Sequence, residues 1–393
     1  MNTPLTVPRI LLLAASGMFA TVLFLPVSTG AERTAQDMVA LCSGEEASTC
    51  YEREVPELLG ELTLTEVFEV VRAVRRQDPS YQFCHVLAHK LGGMVVAQDP
   101  SKWVEAFQYS PSDGLCSNGF VHGVVSGRFR AEVLDAETLA RHLSDFSRAC
   151  EPREGWRPSA LEQAMCYHGM GHLYMFITDA DIPKALSLCE ATAESDTGDF
   201  RRVCREGVYM QIYQPLEPDD FLLIEQMEVK PTKETVREFC ARYERDEYEG
   251  ACLRESWPFF REEVLAGSGI ERFCAGQPNP NEEIACFESA FTLLGRTSLG
   301  TPERVLAACA EAGERWRSMC YEYSAITIIE EDRDAGEALV DFCNSAPDGY
   351  RNECLEGMAQ KAHFLFGDSS YRPAFCAALP AYLRSACLSD PSA

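Results

Sequence analysis

The chain has 393 residues, of which 46% are hydrophobic and 10% aromatic, and this composition excludes wholesale disorder. Its 35 basic and 61 acidic residues give a formal net charge of −26, which disfavours DNA or RNA as a partner because a surface this acidic repels phosphate. The 18 cysteines are an even number and more than a reduced cytosolic enzyme usually carries.

The amino-terminal segment has the pattern of an export signal. Met1–Arg9 carries one positive charge, Ile10–Val27 is mostly apolar, and small residues up to Ala31 follow it. This pattern predicts a signal peptide over residues 1–31, cleaved near Ala31. The apolar run is also long enough to remain as an uncleaved anchor, the only membrane association we expect. The mature protein is therefore expected to be secreted, periplasmic or extracellular, where disulfides persist.

The cysteines fall into consecutive pairs along the chain. The pairs are Cys42–Cys50, Cys84–Cys116, Cys150–Cys166, Cys189–Cys204, Cys240–Cys252, Cys274–Cys286, Cys309–Cys320, Cys343–Cys354 and Cys376–Cys387. We interpret each pair as a disulfide between the end of one helix and the start of its antiparallel partner, although spacing alone does not prove connectivity.

The later pairs recur with a fixed period. From Cys240 onward, the first members of successive pairs lie 34, 35, 34 and 33 residues apart, and this period is typical of stacked helical hairpins. Helix starts are expected at Arg157-Pro158-Ser159, Asp181-Ile182-Pro183, Pro231-Thr232 and Thr301-Pro302.

The period and the one cysteine pair per unit resemble the tetratricopeptide class of α-solenoids, in a secreted cysteine-rich form. The resemblance covers residues 231–390 well and residues 150–214 loosely. It implies an all-α fold, a right-handed α-solenoid of disulfide-linked hairpins. We expect capping helices over 32–78, histidine-bearing hairpins over 79–215 and regular repeats over 231–390. The resemblance also implies that a protein or peptide partner binds the concave face.

Five of the seven histidines lie in three similar segments. His85 and His89 form one i, i+4 pair, His168 and His172 form another, and His122 follows a Cys-x-x-Gly-x-x-His pattern shared with the second pair. An i, i+4 spacing places two imidazoles on one helix face, where both can bind one metal ion. The five histidines are therefore candidate zinc or copper ligands, in one centre or in two close ones.

Glycines concentrate around these histidines, among them Gly92, Gly119, Gly123, Gly169 and Gly171. Glycine destabilises a helix interior by roughly 0.5–1 kcal/mol relative to alanine, so something must offset this cost. Either the helix backbones approach closely, or the glycines leave room beside the imidazoles for an ion and a substrate.

The sequence leaves catalysis open. Neither histidine pair carries the glutamate of His-Glu-x-x-His, but Glu206 occupies the register of His168 one repeat later, as a candidate ligand or general base. Met210 occupies the register of His172 and is a candidate soft ligand for copper.

We therefore expect an exported zinc- or copper-binding protein that supports hydrolysis or oxidation if it is an enzyme. Metal occupancy should fall below about pH 6, since protons compete for imidazole. The alternative is a non-catalytic, partner-binding solenoid whose histidines are structural, as we expect for His142 and His363 in either case.

Overall fold

The fold is all-α, as the sequence predicts. The computed structural model describes residues 30–44, 46–78, 80–81, 84–111, 115–129, 133–215, 218–298 and 300–389. Within these ranges the only sheet is the short antiparallel pair β1 (Glu194–Ser195) and β2 (Gly198–Asp199). The α-helices of these ranges are α1 (Gly30–Leu41), α2 (Ala47–Glu57), α3 (Leu64–Gln77), α4 (His85–Gln98), α5 (Trp103–Ala106), α6 (Gly119–Phe129), α7 (Ala136–Ala149), α8 (Ala160–Ile177), α9 (Ile182–Thr192), α10 (Arg201–Tyr213), α11 (Pro218–Glu225), α12 (Val236–Cys240), α13 (Asp246–Glu255), α14 (Arg261–Leu265), α15 (Ile270–Cys274), α16 (Pro280–Thr297), α17 (Pro302–Glu311), α18 (Glu314–Glu331), α19 (Gly336–Ser345), α20 (Asp348–Phe366), α21 (Tyr371–Ala378) and α22 (Arg384–Leu388).

Side-chain caps explain where the histidine-region helices begin. Ser159 forms a capping box with Glu162 at the start of α8, so two backbone N–H groups of the first turn are satisfied. At the start of α9, the Asp181 carboxylate accepts a hydrogen bond from the backbone N–H of Lys184 at 3.1 Å. Both starts agree with the sequence prediction.

One predicted helix start is wrong. The sequence places it at Pro231-Thr232, whereas α12 begins at Val236. The backbone N–H of Thr235 donates to the carbonyl of Thr232 at 3.1 Å, so these residues form a turn before the helix.

The nine disulfides of the structure join consecutive cysteines, the pairing that the spacing predicts. In eight of them, the first cysteine lies at or near the end of one helix and the second lies within the next helix. Each such bridge ties the two helices of one hairpin together. A bridge that closes a loop of this length stabilises the fold by roughly 3 kcal/mol in the chain-entropy model.

The bridge between Cys84 and Cys116 departs from that arrangement. Cys84 immediately precedes α4, and Cys116 lies in the 3₁₀ turn Leu115–Asn118 that leads into α6. The bridge therefore joins the starts of two helices, and the predicted end-to-start linkage is wrong for this pair. The physical reason is that α4 and α6 pack side by side in the same direction, with α5 in the connection between them.

A repeated arginine contact closes the last three hairpins. The guanidinium groups of Arg317, Arg351 and Arg384 each donate to a backbone carbonyl five residues earlier, at Ala312, Ala346 and Leu379. These carbonyls lie just after the first helix of each hairpin, where the helix leaves acceptors unsatisfied. The contact explains why an arginine recurs at the repeat period.

The longer helices pack in a row that runs from α4 through α6, α8, α10, α13, α16, α18 and α20 to α22. Helices α8 and α10 of this row run parallel. His168 of α8 contacts Gly207 of α10, and one turn later His172 contacts Gln211, so the residue numbers increase in the same direction along both helices. The right-handed superhelical arrangement of this row stays a prediction.

The row turns back on itself, which no spacing in the sequence indicates. Helix α20 packs against α8, and the Arg75 side chain of α3 forms an ion pair with Glu331 of α18 at 3.3 Å. In an open solenoid each repeat touches only its neighbours. The fold-back places α20 against α8 and α18 against the 3₁₀ turn Leu115–Asn118, next to the histidine-bearing helices.

The predicted signal segment, including the apolar run 10–27, lies outside the described residues. Across the ranges that the structure does describe, no helix combines the length and the apolar character needed to cross a membrane. The many disulfides are typical of a protein in an oxidising extracytoplasmic environment.

Candidate metal centre

Glycines let α4 and α6 pack with their backbones almost in contact. A β-carbon on Gly123 would lie 2.0 Å from the carbonyl oxygen of His89, and one on Gly119 would lie 2.4 Å from that of His85. From the other side, a β-carbon on Gly92 would lie 2.3 Å from the carbonyl oxygen of Phe120. No residue with a β-carbon fits these positions, so close backbone approach offsets the helix-destabilising effect of glycine here.

Glycines also let the backbones of α8 and α10 pack closely, and Gly169 makes room for the ring of His122. A β-carbon on Gly171 would lie 2.1 Å from the carbonyl oxygen of Cys204, and one on Gly207 would lie 2.0 Å from that of His168. Gly169 is different, since its β-carbon would lie 2.6 Å from Cδ2 of His122. Close backbone approach is therefore the explanation that applies at most of these glycines, Gly169 accommodates the ring of His122, and room for an ion and a substrate stays a prediction.

All five predicted histidines meet in one cluster with His122 at its centre. The centroid of the His122 ring lies 5.1 and 5.4 Å from those of His85 and His89, and 5.8 and 5.6 Å from those of His168 and His172. Within the pairs, the centroids lie 4.8 Å apart for His85 and His89 and 5.0 Å apart for His168 and His172. The i, i+4 spacing and the parallel packing of α4, α6 and α8 produce this convergence.

Backbone carbonyls fix the orientation of three of these rings. Nδ1 of His85 donates to the carbonyl of Cys116 at 3.2 Å, and Nε2 of His122 donates to that of Met165 at 3.1 Å. Nδ1 of His168 donates to the carbonyl of Val203 at 3.2 Å. A neutral imidazole that donates through one nitrogen carries a lone pair on the other, and metal-ligating histidines characteristically have an outer partner of this kind.

The environment keeps these rings neutral. Desolvation is the largest cause that lowers the pKa of His85 and of His122 well below the ordinary 6.5, and neighbouring histidines lower both further. Desolvation likewise lowers the pKa of His168 to about 3 and that of His172 to about 4. The neutral imidazole is the form that ligates a metal ion.

Three of the clustered histidines, His89, His168 and His172, are only partly buried. The three histidines keep some exposed surface, and Arg296 of α16 retains 37% of its side-chain exposure. The positive charge of Arg296 is nevertheless close enough to lower the pKa of His168.

His85, His89 and His122, hereafter the histidine trio, bring three ring nitrogens close together. One ring nitrogen from each lies within 4.8 Å of the others, and among the described residues no other three His, Cys, Asp or Glu side chains meet this condition. A tetrahedral ion bound at 2.0–2.1 Å needs its nitrogen ligands about 3.3 Å apart, so adjustments of about 1.5 Å or less complete the site. The trio can therefore hold a metal ion.

His168 and His172 lie beside the trio and contact α10. Nε2 of His168 lies 3.2 Å from Sδ of Met210, and Nδ1 of His172 lies 2.8 Å from Oε1 of Gln211. Met210 is thus adjacent to the histidines, in agreement with its repeat register.

Glu206, the candidate ligand or base, is held by an arginine. Its Oε1 accepts a hydrogen bond from Nε of Arg254 at 3.0 Å, and Arg254 also forms an ion pair with Glu282. All three side chains are buried. Glu206 does not belong to the group of side chains that lie close enough together to share a metal ion. Its contacts are those of a buried structural ion pair.

The two remaining histidines lie outside the cluster. His142 packs against Phe129 and lies 3.8 Å from Asp145, whereas Nδ1 of His363 lies 2.6 Å from Nη1 of Arg372.

Sequence reasoning did not find the groups that position the histidines. The carbonyls of Cys116, Met165 and Val203 belong to the backbone and leave no sequence signal. Gln211 carried a signal that could have been used, because it follows Met210 and lies 39 residues after His172, one more than the separation of Cys166 and Cys204. Arg254 stands two residues after Cys252, the position that His168 and Glu206 hold after Cys166 and Cys204, whereas Arg296 has no such register.

Comparisons of the chain with protein-family models, with curated proteins and with solved structures give no match. The function has to be inferred from the geometry of the site itself.

Proposed function

We propose that this is an exported metal-binding protein that holds a zinc or copper ion at the histidine trio. The observation that carries the proposal is the approach of three ring nitrogens, from α4 and α6, to within 4.8 Å of one another. Imidazole suits both zinc and copper.

The surroundings of the trio support a metal site over three ordinary core histidines. His85 and His122 each donate one N–H to a carbonyl of a neighbouring segment. Metal-ligating histidines characteristically have such an outer partner. Desolvation keeps both rings neutral, so a metal ion does not have to displace protons near neutral pH.

The contacts of the candidate base favour binding over catalysis. A hydrolytic metal site needs a group placed to accept a proton from metal-bound water. Glu206 is the candidate general base that the sequence suggests, and its carboxylate is paired with Arg254. We therefore propose metal binding as the function and assign no reaction to the site.

Metal content tests the proposal. Purified protein is loaded with zinc, dialysed and measured by mass spectrometry, and we expect about one equivalent at three imidazoles with one open position. His85→Ala/His89→Ala should lose it, whereas the matched double variant His142→Ala/His363→Ala, which changes histidines outside the cluster, should retain it. His89→Gln is the milder second variant, and circular dichroism establishes that each variant is folded. A folded wild type that holds no zinc or copper overturns the proposal.

A second candidate function is a partner-binding solenoid, as the tetratricopeptide resemblance implies. The parallel row from α4 to α22 supports it, with a protein or peptide partner on a concave face of a right-handed superhelix. In that case the donations from His85 and His122 to carbonyls serve only to join helices. The metal measurement separates the two, since structural histidines leave a folded wild type without metal.

A further inference from the structure

The contact between His168 and Met210, hereafter the soft pair, is chemically unusual. Nδ1 of His168 faces the Val203 carbonyl at 3.2 Å, while Nε2 faces the Met210 thioether at 3.2 Å. A carbonyl and a thioether are both acceptors, and a neutral imidazole has a single N–H to offer. Only one of the two contacts can therefore be a hydrogen bond.

The stronger acceptor of the two is the carbonyl, because a thioether sulfur accepts hydrogen bonds only weakly. With the N–H directed to Val203, the lone pair of Nε2 points at the lone pairs of Met210 Sδ. Two lone pairs that face each other repel, whereas a cation beside both atoms attracts both lone pairs. An imidazolium also satisfies both contacts, but burial among the helices opposes a charged ring.

The spacing fits two ligands on one ion. For metal–nitrogen and metal–sulfur distances of about 2.0 and 2.3 Å, a nitrogen–sulfur separation of 3.2 Å corresponds to an angle of about 95° at the metal. His172 is one helical turn from His168, with ring centroids 5.0 Å apart, and supplies the natural third ligand.

Tight packing holds the soft pair in register. Gly171 and Gly207 allow the backbones of α8 and α10 to touch, since a β-carbon on either would lie 2.1 or 2.0 Å from a carbonyl oxygen of the other helix. This approach sets His168 beside Met210 and His172 beside Gln211. The pair is thus placed by rigid elements.

We propose that His168, Met210 and His172 form a second metal site, selective for a soft monovalent cation such as cuprous copper. Thioether sulfur prefers soft ions and gives zinc little advantage. The ring of His122 lies 5.8 and 5.6 Å from those of His168 and His172, so the second site adjoins the histidine trio. The inference deepens the proposed function and rests on it, because a soft second ion assigns the whole cluster to copper handling.

Silver(I), a redox-stable soft ion, is the probe, with the full mature protein and its disulfides intact. We expect the zinc-loaded wild type to bind one further equivalent of silver(I) in a calorimetric titration. Met210→Leu should weaken silver binding at least tenfold and leave zinc at the trio unchanged. Met319→Leu is the matched control, since Met319 of α18 is similarly half-buried but far along the row, and it should bind silver as the wild type does.

Sulfur scattering at about 2.3 Å in the X-ray absorption spectrum of the copper(I)-loaded protein, lost in Met210→Leu, is the second measurement. Zinc binding without silver binding, or silver binding that Met210→Leu does not change, overturns the second site and leaves the trio standing. A wild type that binds neither ion overturns both proposals.

Discussion

The carbonyl oxygen of His89 lies 2.0 Å from the point where a β-carbon on Gly123 would stand. The helices that carry three of the five clustered histidines are therefore as close as two helix backbones can come. The position of His122 beside His85 and His89 depends on this contact.

Gly123→Ala should destabilise the protein by at least about 2 kcal/mol, because the new methyl group meets backbone atoms that cannot move aside. The shift of α6 away from α4 should also lower zinc occupancy at the trio. Gly349→Ala is the matched control, since nothing lies within 4 Å of a β-carbon there and alanine favours a helix. Chemical denaturation measures both. Equal stability of the two variants would show that the backbones are not in contact.

Metal binding at the trio should persist to a lower pH than the sequence predicts. The sequence suggests loss below about pH 6, the behaviour of exposed imidazole. Desolvation lowers the pKa of His85 and of His122 well below 6.5, so the unliganded rings are already neutral at pH 6 and protons compete only in more acidic solution. Zinc content after dialysis at a series of pH values should show little loss at about pH 5.5. A midpoint near the ordinary imidazole value would contradict this expectation.

Arg254→Leu should cost about 3–5 kcal/mol of stability, because it leaves the carboxylates of Glu206 and Glu282 buried without their cation. Adding Glu206→Gln and Glu282→Gln to that variant should recover part of the loss. Arg315→Leu provides the comparison, since this arginine is 65% exposed and lies 4.0 Å from Glu283. Its removal should change stability by about 0.5 kcal/mol or less. A small effect of Arg254→Leu would show that the ion pairs do not form.

Glu255 should contribute a part of the stability that falls as the pH rises from about 4.5 to about 8, against the rise that the lowered histidine pKa values produce below about 6.5. Desolvation, followed by the nearby Glu206, raises the pKa of Glu255 from 4.5 to about 8 in the folded protein. The folded state then binds a proton that the unfolded state has already released, so this contribution is complete below 4.5 and is lost through 8. Glu255→Gln, which keeps an acceptor for Gln214, should remove this contribution, so the stability of the variant relative to the wild type should rise between pH 4.5 and 8 in urea denaturation. An unchanged slope in this variant would assign the dependence to other groups.

The features that the sequence predicts well are local or periodic. Cysteine pairs such as Cys309–Cys320 close within one hairpin, and the period identifies the hairpin. The i, i+4 spacing similarly places His168 and His172 on one helix face. The carbonyls that orient the rings carry no sequence signature, because every residue has one.

The features that escape prediction depend on long-range packing. Nothing near Arg75 indicates a contact with Glu331, 256 residues later, so the fold-back of the row is not visible in the period. The bridge from Cys84 to Cys116 is misread because α5 interrupts the expected hairpin. The pairing of Glu206 with Arg254 likewise depends on packing between α10 and α13.

Anomalous diffraction from crystals of the zinc-loaded protein, recorded on both sides of the zinc absorption edge, tests the central claim most directly. We expect a difference peak about 2.0–2.1 Å from one ring nitrogen each of His85, His89 and His122. An ordered histidine trio without a peak, or a zinc ion bound only elsewhere, would contradict it.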